Sequence, residues 1–104
     1  MAYDEELAER IRKRVTGATE KKMFGGLAFL VGGNMAVAAS GQGGLLVRVD
    51  PEEGARLVAT TTAEPMEMRG KQMHGWLRVD VASDDELAEW VDRGVAYART
   101  LPPK

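Results

Sequence analysis

Glycine most constrains the middle of this chain. Seven of its twelve glycines fall between residues 23 and 49 and cut the apolar residues there into the short runs 24–31, 35–40 and 45–49. Glycine is unfavourable within a helix but tolerates the positive φ that tight hairpins demand. Gly32-Gly33-Asn34 and Gly41-Gln42-Gly43-Gly44 therefore predict turns, and the runs between them a three-stranded antiparallel meander. In the third run Leu45, Val47 and Val49 alternate with Leu46 and Arg48, so one face is expected to be the more buried.

Helices flank this segment. Across residues 4–16, Tyr3, Leu7, Ile11 and Val15 recur every four residues; acids occupy the first turn and Arg10, Arg12, Lys13 and Arg14 the end, as the helix dipole favours. Gly17 is expected to stop this helix. Asp50-Pro51-Glu52-Glu53 predicts a second, short helix ending near residues 60–62, with Asp50 as its cap and Pro51 in the first helical position. Residues 65–68 and 75–81 read as a second hairpin turning at Arg69-Gly70-Lys71, with Trp76, Arg78 and Asp80 alternating against Leu77, Val79 and Val81. Ser83-Asp84-Asp85-Glu86 has capping-box spacing, and Leu87, Trp90, Val91, Val95 and Ala98 mark one face of a helix to about residue 100. Gly94 lies inside that helix at a cost of about 1 kcal/mol relative to alanine, which implies close packing there.

The expected order is α-β-β-β-α-β-β-α, an α+β fold with helices on one face of a five-stranded antiparallel sheet. With 104 residues, a single domain spanning 1–104 is expected. No apolar stretch is long enough for a transmembrane helix, and the N-terminus lacks the pattern of a signal peptide, so a cytoplasmic location is expected.

The residue inventory is poor in catalytic sets. There is no cysteine, His74 is the sole histidine, and the two serines are Ser40 and Ser83, neither in a nucleophile-elbow context. No catalytic, cofactor or metal residues are assigned: the acidic groups Asp4-Glu5-Glu6 and Asp84-Asp85-Glu86 sit in first helical turns, where capping and the dipole account for them. The glycine-rich segments lack the strand-to-helix context of a phosphate loop. A net charge of −2 argues against a generic nucleic-acid binder, although Arg10, Arg14, Lys21 and Lys22, with Arg69 and Lys71, are candidates for a local patch contacting nucleic acid or a partner. Met66 and Met68 are two residues apart; on an outer sheet face they would contribute to a dimer or partner surface.

Lys22-Met23-Phe24-Gly25-Gly26-Leu27-Ala28-Phe29, followed by Gly33-Asn34-Met35-Ala36 and Leu45-Leu46-Val47-Arg48-Val49, resembles the N-terminal domain of the TfoX/Sxy family. The resemblance extends through residues 66–71, 75–79 and the last helix. It implies a two-layer α+β fold similar to the type III secretion chaperone class, whose members often dimerise, and so implies a homodimer. The best-known family members regulate natural competence as transcriptional coactivators and carry a second, C-terminal domain. No catalytic residues are carried over, and Lys22, Met23, Phe24, Gly25 and Gly26 are read as a structural signature. The expectation is a non-enzymatic bacterial domain with a regulatory role through protein–protein interaction, linked to competence or transcription. The alternatives are direct nucleic-acid binding through the basic patch, and a small-ligand-binding protein or enzyme.

Overall fold

The computed structural model describes residues 5–15, 17–23, 26–41, 44–68, 70–81 and 83–103; for Met23, Glu67, Met68, Lys71, Gln72, Met73 and His74 only the backbone is described. The elements run α1 (Glu5–Arg14), β1 (Thr19–Met23), β2 (Gly26–Val31), β3 (Asn34–Ala39), β4 (Leu45–Arg48), α2 (Pro51–Thr60), β5 (Glu64–Met68), β6 (Lys71–Val79) and α3 (Asp84–Thr100). The strands form one sheet in the order β1-β2-β3-β4-β6-β5, with every neighbouring pair antiparallel.

The α+β class holds, but the sheet has six strands rather than the expected five. The added strand is β1, whose sequence Thr-Glu-Lys-Lys-Met lacks apolar alternation. As an edge strand β1 needs only one partner, β2, and lysines are well suited to such an edge. Its Glu20 is tied to α1: Arg12 Nε and Nη2 donate to the two carboxylate oxygens at 2.6 and 2.7 Å. A second correction concerns β6, expected over 75–81 but running from Lys71 to Val79, so that His74 lies within a strand.

The turn chemistry follows the sequence. Gly32 and Gly33 both have positive φ, +61° and +83°, as a two-residue hairpin loop requires. Beside that turn, buried Asn34 donates from Nδ2 to the Pro102 carbonyl at 2.9 Å, fastening the C-terminal segment to the sheet. Asp50 Oδ1 accepts from the Glu52 amide at 2.9 Å, and Ser83 Oγ from the Glu86 amide at 3.2 Å, capping α2 and α3 as expected. Ser83→Ala should lower the unfolding free energy by about 1 kcal/mol in urea titration. A loss below about 0.3 kcal/mol would show that water satisfies that amide equally well.

All three helices contribute to one core on one face of the sheet. Leu7, Ile11 and Val15 from the first helical segment meet Phe29, Val37, Leu45, Val47, Leu77 and Val79 from the strands and Leu87, Val91 and Val95 from α3, while Leu57 and Val58 of α2 pack at the margin. Each such side chain contributes about 1.5–3 kcal/mol when fully buried. Gly94 lies at the closest approach: a Cβ there would be 2.6 Å from the Ala36 carbonyl oxygen. On the opposite face a second, smaller cluster joins Ala28, Met35, Ala38 and Leu46 to half-buried Leu30, Met66 and Trp76.

Candidate functional site

The basic end of α1 meets α3 in a set of ion pairs. Arg10 donates to Asp84 Oδ1 from Nε at 2.9 Å and from Nη2 at 2.6 Å. Arg14 forms a two-pronged contact with Asp92, Nε to Oδ1 at 3.1 Å and Nη2 to Oδ2 at 2.5 Å. Arg12 also pairs with Glu9. Arg10 and Arg14 link α1 to α3 across the surface, whereas Arg12 pairs within α1 and with β1; the charge of all three is offset by neighbouring carboxylates.

Hydrogen bonding to Arg14 is the main cause holding the Asp92 carboxyl below its ordinary range, with desolvation opposing it. Arg12 does the same for Glu20. A depressed carboxyl pKa contributes stability that is present above the unfolded value, about 4, and is lost as pH falls through the folded value. Asp92→Asn combined with Glu20→Gln should therefore melt at a lower temperature than the parent at pH 7. The gap should close on acidification below about pH 4 in calorimetry; a constant gap would assign the loss to packing. Because the groups are exposed, the effect is small.

Between α1 and α3 lies a groove of about 410 Å³ lined by Arg10, Lys13, Arg14, Asp84, Asp85, Leu87 and Ala88. Its size is that of a small-ligand pocket, but its lining lacks the predominantly apolar character such pockets have. Among the described residues, no group of three His, Asp or Glu is placed to hold a metal ion. No described helix is long and apolar enough to cross a membrane.

The basic residues singled out in the sequence are dispersed. Lys21 and Lys22 are successive residues of β1 and point to opposite sides of the sheet. Lys22 shares a row with Leu27, Ala39, Leu45 and Val79, placing it level with one end of β6, whereas Lys71 begins the other end with β2, β3 and β4 between them. Arg69, Phe24 and Gly25 lie outside the described residues, as do the side chains of Lys71, Met23 and Met68. Within the signature, Gly26 is fixed by packing, since a Cβ there would be 2.0 Å from the Ala39 carbonyl oxygen.

The helix-free face is the better-defined surface. Antiparallel partners share a face, so the register places Lys21, Ala28, Ala38, Leu46, Arg78 and Glu64 in one row across all six strands. Beside that row, Thr19, Leu30 and Met35 occupy the β1–β3 side and Arg48 and Trp76 the β4–β6 side. Met66 packs into the same cluster. The Arg48 guanidinium lies 5.6 Å from the Trp76 ring centre and 5.9 Å from that of Tyr97, within cation–π range of both; because Tyr97 belongs to α3, Arg48 stands at the margin where this face meets the helix layer. Ala28, Met35, Ala38 and Leu46 are buried, while Leu30, Met66 and Trp76 remain half-exposed above them. The Trp76–Val79 alternation and the Met66 position were the sequence signals for this face; Leu30 and the two rings around Arg48 had none, because their proximity depends on sheet order and the placement of α3.

No curated protein and no solved structure matches the chain significantly. The family model described as the TfoX N-terminal domain matches residues 10–98, a span running from α1 nearly to the end of α3 and containing every strand of the sheet. The chain therefore belongs to the TfoX N-terminal domain family.

Proposed function

We propose that this chain is a non-catalytic regulatory domain in a competence-linked setting, and that it acts by binding protein through the helix-free face of its sheet. The observation that carries this reading is the half-exposed apolar group Leu30, Met66 and Trp76, bordered by Lys21, Arg48, Arg78 and Glu64. An apolar centre with tryptophan and arginine inside a charged rim is the usual anatomy of a protein-binding patch. The family supports the competence setting. A second reading, single-stranded nucleic acid on the same face, draws on Trp76 as a stacking ring with Lys21 and Arg48 nearby.

The test compares the wild type with Trp76→Glu. Proteins captured from the native cell by immobilised wild type should be lost with the variant, while labelled single-stranded DNA and RNA should not bind either form at low salt. Binding that weakens steeply with added salt would replace this reading with the nucleic-acid one. An unchanged capture profile would remove the helix-free face as the contact surface.

A further inference from the structure

We infer that the groove between α2 and α3 docks a basic segment of a partner protein, a contact separate from the helix-free face. Strand order creates this groove. α2 packs chiefly over β6 and α3 over β3 and β4, so the two helices lie side by side on the core face of the sheet. α2 sits shallowly there: Gly54 is its buried residue, and its apolar Leu57 and Val58 are only half-buried. The space left beside α3 is about 440 Å³, within the range that takes a small ligand or a long side chain. Its walls carry Asp50 and Glu53 from the start of α2 and Glu89 and Asp92 from α3.

The two seams beside α3 differ in how their charges are used. On the α1 side, Arg10 and Arg14 hold Asp84 and Asp92 at 2.5–3.1 Å, so those charges are spent on the fold. On the α2 side the cation lining the groove is Arg93, set against four carboxylates. Arg93 stands 3.9 Å from Glu53 and 3.8 Å from Glu89, too far for a hydrogen bond to either, while its guanidinium lies over the Trp90 ring at 4.7 Å. Glu53 is half-exposed and Glu89 exposed, so both carboxylates keep acceptor capacity that this long contact does not use.

Charge and shape both select the occupant. The carboxylates repel nucleic acid and other polyanions and attract ammonium and guanidinium groups. Ala96 and Tyr97 supply an apolar floor, against which the methylene stems of lysine and arginine pack while their heads reach the carboxylates. Glu89 and Tyr97 lie about 12 Å apart along α3 at the helical rise, so the groove spans more than one cationic group. A protein segment with lysine or arginine on neighbouring turns fills that length.

The test titrates a synthetic peptide of alanine, lysine and arginine into the isotope-labelled whole chain at about 0.15 M salt, followed by amide chemical shifts. A peptide with glutamate at the basic positions is the control and should not bind. Shifts should gather at the start of α2 and along residues 89–100 of α3. Glu53→Gln combined with Glu89→Gln should weaken binding about 5-fold or more, since each exposed pair is worth little alone. Glu5→Gln combined with Glu64→Gln makes the same charge change on exposed residues outside the groove and should cost less than about 2-fold. Arg93→Gln should tighten binding, because it removes the cation that competes for Glu53 and Glu89. Circular dichroism checks that each variant folds, and Trp76→Glu should leave peptide binding unchanged. No binding by the wild type, equal losses in the two double variants, or shifts spread over the whole surface would overturn the inference. So would a free polyamine that binds as tightly as the peptide, since the occupant would then be a small cation.

Discussion

Gly26→Ala is expected to cost about 3 kcal/mol or more of folding stability, seen in urea titration as a midpoint lowered at unchanged slope, or as failure to give soluble protein. The added Cβ would be 2.0 Å from the Ala39 carbonyl oxygen, 3.1 Å from the Ala39 carbonyl carbon and 3.0 Å from the Gly41 nitrogen. These are backbone atoms, so no side-chain rotation relieves the overlap. The start of β2 must instead move away from β3, straining the Leu27–Ala39 register and the Phe29–Val37 pairing that buries Phe29 in the main core. Overpacking ordinarily costs 1–3 kcal/mol, and backbone overlap this close belongs at or above the top of that range. Against a total stability of about 5–15 kcal/mol the loss is large. Gly70→Ala is a useful control: its Cβ would have no neighbour within 4 Å, and only the positive φ of +77° opposes it, at about 1–2 kcal/mol. A Gly26→Ala protein within about 1 kcal/mol of the parent would show that β2 and β3 can separate there without loss of packing.

Gly94→Ala tests two opposing effects. Helix propensity favours alanine by about 1 kcal/mol, so an exposed glycine at this place in α3 would be improved by the change. Gly94 is buried, and its Cβ would be 2.6 Å from the Ala36 carbonyl oxygen, 2.9 Å from Val37 Cγ1 and 3.2 Å from Val47 Cγ1. The two valines can rotate or shift, but the Ala36 carbonyl is part of the sheet. The helix must therefore back away, loosening the contacts of Val91, Val95 and Ala98 with β3 and β4. We expect a net loss of about 1–3 kcal/mol in urea or thermal unfolding despite the gain in propensity. A stabilised variant would mean that α3 moves off the sheet at no cost and that Gly94 is tolerated rather than required.

These glycines also show what the family signature does. Gly26 belongs to the Lys22–Gly26 motif, and its close approach to Ala39 accounts for it structurally without a ligand. The close packing at Gly94 was legible in the sequence because a glycine inside a well-capped, amphipathic helix needs a reason. The clash at Gly26 was not, since the nearest atoms belong to a strand that follows later in the chain and reaches it only through the β2–β3 hairpin.

Local chemistry in the sequence determined the helices, their caps and most of the strands. Periodicity marked the core-facing residues of α1 and α3 and alternation those of β4 and β6, although the central strands proved buried on both faces; the glycine pair at 32 and 33 turned the chain; Asp50 and Ser83 started helices at the expected places. The Thr19–Met23 strand was hidden because its stability comes from a ladder with β2 and the Arg12–Glu20 contact, neither of which leaves a period in its own residues. Likewise the basic residues near the N-terminus read as a patch until folding brought Asp84 to Arg10 and Asp92 to Arg14 across α3. The sequence by itself determined which residues of each segment point the same way, because that depends only on backbone period. Tertiary structure alone decided which segments lie side by side, and hence that Arg10 and Arg14 are paired while Lys21, Arg48, Trp76 and Glu64 share a helix-free face, because strand order and long-range charge pairing are properties of the assembled sheet.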